Sequence, residues 1–205
     1  MLRRTAALVF ATACFLIACG TVTTVPLAWR DPAYSGGAFD QVFVIGIGED
    51  DTRRRFFEDR FVAVLVERGI HAVPSYALLP SPERMDKDAI RNAMEAGGFE
   101  AVIVTRLVGQ EQEEEFVPPR TYTVPSGYRG GYYGFYQQSY EIVQEPGYYK
   151  TNTIVRLETN LYEVASAALV WSGQSETLNP ASIADTIDSA TAAVARRLAE
   201  DGLIR

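Results

Sequence analysis

The chain has 205 residues, 47% hydrophobic and 22% charged, with a formal net charge of −7. That length suits one domain with an extension, and the apolar fraction excludes a wholly disordered chain. The acidic balance argues against a nucleic-acid partner, two cysteines against a disulfide framework or a Cys-based zinc site, and one histidine against a His pair at a metal.

Residues 1–18 read as an address rather than as part of a fold. Arg3 and Arg4 precede an apolar stretch from Thr5 to Ala18, shorter than the roughly 20 residues of a membrane-spanning helix and matching a signal-peptide core. The stretch ends Leu16-Ile17-Ala18-Cys19, which resembles the bacterial lipobox. The resemblance implies that the Cys19 thiol takes a diacylglycerol, that the signal is cut before it, and that the new amine is acylated. Gly20 stands where an aspartate would favour retention in the inner membrane. The resemblance therefore implies the periplasmic face of the outer membrane.

On that reading the mature chain changes its arithmetic. Cutting 18 residues from 205 leaves 187, with 17 basic and 26 acidic side chains and a net charge of −9. Cys14 leaves with the signal and Cys19 is consumed by lipid, so no thiol remains for a disulfide, a metal or catalysis.

Residues 19–40 read as a lipidated tether, with Trp29 expected to pack on the domain that follows over 41–205. Gln41–Ile47 is a predicted strand, apolar enough for burial on both faces. Asp51–Arg68 is a predicted helix, because Phe57, Phe61, Val64 and Leu65 share one face. Asp50 or Asp51 is its expected cap and Gly69 its stop. Arg54–Glu58 and Arg55–Asp59 are expected as i,i+4 pairs on its exposed side. Ile70–Val73 is a second strand, Leu79–Glu83 a loop, Asp86–Ala96 a second helix and Ala101–Leu107 a third strand. Strand–helix–strand crossovers require parallel strands.

Residues 118–149 form an insertion of biased composition, holding eight of the eleven tyrosines and five glycines. Alternation then predicts a strand from Thr153 to Tyr162 with one face exposed. Leu169–Glu176 returns as its partner, anchored by Trp171. A final helix is expected to start near Asn179-Pro180 and to stop at Gly202. The sum is an α/β domain, a mixed β-sheet in the order βαβαβ–insertion–ββα with helices packed on it.

Four stretches carry a further resemblance: VFVIGIG (42–48), RGIHAV (68–73), GGFEAVIVTRLVG (97–109) and LYEVASAALVWSG (161–173). The pattern is similar to the small α/β domain of the curli-secretion lipoprotein, of the Tol propeller protein's N-terminal part, and of lipoprotein activators of peptidoglycan synthases. It implies fold more than function. Such proteins are pores, scaffolds and activators, and few are enzymes.

Catalytic and ligand motifs are weak. Gly46-Ile47-Gly48-Glu49-Asp50-Asp51 sits where dinucleotide folds place their glycine loop, but Asp51 replaces the third glycine and three carboxylates repel a phosphate. A capped turn is the better reading. The same acids lack the spacing of a calcium loop. Glu111, Glu113, Glu114 and Glu115 lie in one extended run, whose neighbours diverge, so a solvated edge is expected rather than an acid–base pair. His71 has no nucleophile or orienting partner in view and reads as structural. No catalytic residue, metal or cofactor is assigned.

The Tyr/Gly segment is the feature a core does not explain. Tyr128, Tyr132, Tyr133, Phe135, Tyr136 and Tyr140 could form a contact surface for a protein or a glycan, an element at the membrane interface, or strand-forming arms between copies. A loop covering its own sheet edge is the plain alternative. Arg53, Arg54 and Arg55 are a second candidate contact, or else pair with nearby acids. The expected function is a non-enzymatic, membrane-anchored periplasmic module for binding or assembly. Its expected partners are the membrane, through the lipid, and an envelope protein or a second copy. The alternative is a peptidoglycan- or glycan-binding protein or hydrolase using the Tyr-rich segment.

Overall fold

The computed structural model describes residues 21–48, 50–79, 87–125 and 140–205. The signal sequence and Cys19 lie outside the described residues, as do Glu49 and most of the Tyr/Gly segment.

The chain enters as strand β1 (Val22–Arg30), then β2 (Gln41–Ile47), helix α1 (Asp51–Glu67), β3 (His71–Pro74), the short α2 (Ser75–Leu78) and α3 (Lys87–Gly97). It continues as β4 (Ala101–Val117), β5 (Arg120–Pro125), β6 (Tyr140–Glu145), β7 (Tyr148–Glu163), β8 (Leu169–Leu178) and a final helix, α4 (Ile183–Glu200). Six strands form one sheet in the order β1-β8-β7-β4-β2-β3, and β5 and β6 form a separate pair. The strands β3, β2 and β4 are parallel, as the two crossovers require, while β7, β8 and β1 add antiparallel pairs. The fold is the expected mixed α/β sheet.

Each sheet face has its own helices. Val42, Val44, Ala101, Ile103, Leu161 and Trp171 join one buried cluster with Phe57, Phe61 and Leu65 of α1 and Val194 and Leu198 of α4. On the opposite face, Phe43, Ile45, Phe99 and Val102 cluster with Ile90, Ala93 and Met94 of α3. β2 is buried on both faces because helices cover both. Trp171 is fully buried, and its indole N–H donates to Asp201 Oδ2 at 2.7 Å.

Caps follow local chemistry. The Asp50 carboxylate accepts from the backbone N–H groups of Thr52 and Arg53 at 2.9 and 3.0 Å and starts α1. Gly69 takes φ +80° after it, a conformation that favours glycine. After Gly202, the Leu203 N–H returns to the Leu198 carbonyl at 2.9 Å, and Leu203 and Ile204 are buried.

Several expectations need correction. The stretch read as a tether holds β1 from Val22 onward, because Val22–Arg30 pairs with the outer edge of β8. Trp29 is 47% exposed on that edge strand, less packed than expected. The last helix starts at Ile183 with Ser182 as cap, its hydroxyl accepting from the Asp185 N–H at 3.0 Å. Asn179 is used otherwise: its side-chain oxygen accepts from the Thr153 N–H at 2.7 Å, tying the end of β8 to β7. Ser75–Leu78, given no element from sequence, forms one helical turn. The largest correction concerns 111–153. β4 runs on to Val117 and β7 starts at Tyr148, so the insertion starts where a long ladder stops and its last two residues belong to that ladder, and 120–125 and 140–145 are themselves paired strands.

Candidate functional site

Two places in the described residues gather polar or exposed groups. The first is buried at the C-terminal end of the parallel strands, where open α/β sheets place ligands. There Arg54 and Glu58, one turn apart on α1, have side chains 1% and 0% exposed. Glu58 Oε1 accepts from the Gly46 N–H at 3.0 Å and from the Ser75 hydroxyl at 2.6 Å, and Oε2 accepts from the Tyr76 N–H at 3.2 Å. Arg54 donates to Asp51 at 2.6 Å, to the Ser75 hydroxyl at 3.1 Å and to Glu58 at 3.5 Å. Every arm of the guanidinium is occupied. The group fastens α1 to the end of β2 and the start of α2. A cavity of about 390 Å³ beside it is lined by Ile45, Ile47, Ile90, Val102 and Val104. Gly46, Gly48 and the Arg54 side chain complete its lining among the described residues.

This settles the placement of the basic triplet. Arg54 is not a surface cation, and its pair with Glu58 is buried rather than on the exposed side. Arg55 pairs with Asp51 at 2.8 Å rather than with Asp59, which accepts from the Tyr76 hydroxyl. The Arg55 guanidinium also lies 5.2 Å from the Tyr76 ring centre. Arg53 is exposed and lies 3.5 Å from Asp50. Two adjacent arginines on Asp51 hold its carboxyl below the ordinary carboxylate range, with the Arg54 hydrogen bond the larger cause.

The second place is a ribbon. β2 last meets β4 at Arg106, and β8 last meets β7 at Ile154. Beyond those points β4 and β7 continue together through Val117↔Tyr148, with no third strand on either side among the described residues. β5 and β6 follow as a further antiparallel pair. Alternation sends successive side chains to opposite faces. Glu111, Glu113 and Glu115 therefore share one face, and Glu114 lies on the other. Asn152 donates to Glu115 at 3.2 Å. Arg156 donates to both Glu111 and Glu176, and these two carboxylates raise its pKa. The Glu run is a solvated edge, as expected, but alternation brings three of its carboxylates to one face instead of dispersing them all.

Past the acids the ribbon turns aromatic. Phe116 and Tyr149 face each other with ring centres 5.1 Å apart. They are 53% and 69% exposed, and Tyr148, Tyr122 and Ile142 are exposed as well. The Tyr122 hydroxyl donates to Glu145 at 3.1 Å, which raises its pKa. Of the singled-out aromatics, Tyr140 opens β6 opposite Pro125. Tyr128, Tyr132, Tyr133, Phe135 and Tyr136 lie outside the described residues. His71 is exposed at the start of the edge strand β3, its ring 6.5 Å from that of Phe99.

Sequence reading missed the Glu58–Ser75 link and the aromatic pair on the ribbon. The first had no signal, since it joins residues 17 apart in sequence through a tertiary contact. The second did: Phe116-Val117 immediately precede the biased segment and Tyr148-Tyr149 close it.

No family model matches the sequence, and no curated protein matches it. Among solved structures, the chain is similar to the PelC dodecamer from Paraburkholderia phytofirmans, at 14% identity and a TM-score of 0.48, over 90% of this chain and 100% of that one. It is also similar to lipoprotein GNA1162 from Neisseria meningitidis, at 14% identity and a TM-score of 0.40, over 78% of this chain and 97% of that one. Likenesses of this size carry no argument about what the chain does.

Proposed function

We propose that this protein is a lipid-anchored, non-enzymatic module of the bacterial envelope that acts in binding or assembly through its ribbon. The anchoring part rests on the lipobox at Leu16–Cys19 and on Gly20, which favour the periplasmic face of the outer membrane. The interaction part rests on one observation: among the described residues the ladder of Glu113–Val117 with Tyr148–Asn152 has no third strand beside it, and Phe116, Tyr148 and Tyr149 on it are exposed. A two-stranded ribbon without a core is marginal in water. Its exposed aromatics offer large, rigid contact area. The β4 edge carries acids and the β7 edge Lys150, charges that discourage indiscriminate strand pairing and leave the aromatic end as the contact.

The test replaces residues 113–151 by a Gly-Gly turn in the full-length protein and compares envelope cross-linking of the variant and the parent. The domain should remain folded by circular dichroism, because the Glu111↔Ile154 pair and all of β8 are kept. Cross-links seen with the parent should disappear. An unchanged set of cross-links would remove the ribbon from the function.

A further inference from the structure

We propose that the end of the domain bearing the ribbon lies on the bilayer, with the ribbon's aromatic residues at the lipid interface. The proposal rests on the reading of Cys19 as the lipid-bearing residue and adds an orientation to it.

The first argument is chain length. β1 begins at Val22, so only three residue steps separate it from Cys19. Three extended residues span at most about 10–11 Å. The domain is therefore held against the membrane rather than suspended from it. It meets the membrane near Val22, whose register partners run Leu178, Ile154 and Glu111 across the sheet. That row is the end at which β8 finishes and from which the ribbon rises.

The second argument is the distribution of apolar groups. Val22, Leu178 and Ile183 are exposed large apolar side chains, and Leu107 and Val108 are exposed where the ribbon leaves the body. Val22 and Leu178 are register partners in that row, and Ile183 opens α4 just after the end of β8. Phe116, Tyr122, Ile142, Tyr148 and Tyr149 extend the set along the ribbon. Of the described residues, Leu27, Trp29, Ile47, Val66 and Leu78 are the exposed large apolar groups elsewhere, with Ile47 and Leu27 on one row across the sheet. Scattered apolar groups need no explanation, but a set gathered at one end marks a contact surface.

The third argument is reach. From Glu111 to Phe116 the ribbon rises five residues, about 17 Å along the strand. Subtracting the ~10 Å allowed by the Cys19 link leaves the aromatic pair several ångströms past the anchor plane. That is the interfacial depth where tyrosine is favoured. By the same count Glu113 and Glu114 lie at or before the anchor plane, and Glu115 only a few ångströms past it, at head-group level.

The mature chain has no free thiol, so single cysteines can be placed at will. Full-length, lipid-modified protein would carry Ile142→Cys, Tyr149→Cys, Val66→Cys or Glu200→Cys, each labelled with a fluorophore. Each would be reconstituted in vesicles of phosphatidylethanolamine and phosphatidylglycerol containing a head-group-level nitroxide lipid. Labels at 142 and 149 should be quenched at least about twofold more than labels at 66 and 200, as interfacial residence requires. Equal quenching at the two ends, or stronger quenching at 66 and 200, would overturn the orientation. Mass spectrometry of the same samples separates the underlying reading: a Cys19 without lipid would overturn the anchoring itself. Quenching at 142 and 149 that vanishes on dilution to isolated molecules would also overturn the proposal, by assigning the ribbon to a second copy.

Discussion

The body of the domain and its ribbon are built from the same two strands, yet they satisfy different conditions. In the body, β4 and β7 have strands on both sides and helices on at least one face, so Ile103, Thr159 and Leu161 are buried. A dozen residues further along the same strands, Phe116 and Tyr149 are more than half exposed. Backbone pairing continues across the change, with one register shift between Leu107 and Gly109. Hydrogen bonds alone therefore do not distinguish a stable part from a dependent one. What differs is the apolar area removed from water, which supplies about 25 cal/mol per Å² in the body and little in the ribbon.

That contrast yields predictions in decreasing order of effect. Trp171→Ala empties a fully buried site and should cost about 3–5 kcal/mol of stability, measured by urea unfolding. A loss below 1 kcal/mol would mean that the core lies elsewhere. Glu58→Gln should cost about 1–3 kcal/mol. It removes the charge from a carboxylate that serves Gly46, Ser75, Tyr76 and Arg54, leaving the buried Arg54 with less to bind. A neutral result would show that this cluster is solvated. By contrast, the double variant Phe116→Ala with Tyr149→Ala should change global stability by less than about 0.5 kcal/mol. An effect as large as that of Trp171→Ala would erase the distinction between the two regions.

The smallest effect concerns pH. Hydrogen bonds from Asn160 and then Arg106 lower the pKa of Glu158, and Arg54 and Arg55 lower that of Asp51. A carboxyl whose folded pKa is depressed contributes stability that is present above its unfolded pKa, about 4, and lost as pH falls through the folded value. The melting temperature should therefore drop below about pH 4, and Arg106→Met should make that drop shallower. A steeper drop in the variant would contradict the assignment.

Legibility in the sequence followed the same division. The parallel strands, α1 with its Asp50 cap, the stop at Gly69 and the Trp171 anchor were readable, because each depends on nearby residues or on apolar periodicity. β1 was not. Val22–Arg30 has Pro26 and a register shift between Thr24 and Leu27, and it earns its place only by pairing with β8, 150 residues later in the chain. The ribbon was half legible. The biased composition of 118–149 marked an unusual element, but the Glu run concealed that β4 continues through it. Its pairing was fixed by the returning Thr151–Val155 stretch rather than by its own alternation. Burial of Arg54 could not be foreseen, since arginine beside two other arginines reads as surface.

The most direct measurement of the division is amide hydrogen exchange on the full-length chain carrying Cys19→Ser, in solution without membranes. Exchange reports local opening and so ranks the two regions within one molecule. Amides of β2, of Leu157–Glu163 in β7 and of β8 should exchange slowly, while those of Gln112–Val117 and Tyr148–Thr153 should exchange fast although they are paired. Ribbon amides as slow as those of β2 would contradict the account, since the ribbon would then be stable by itself and would need no surface outside the chain.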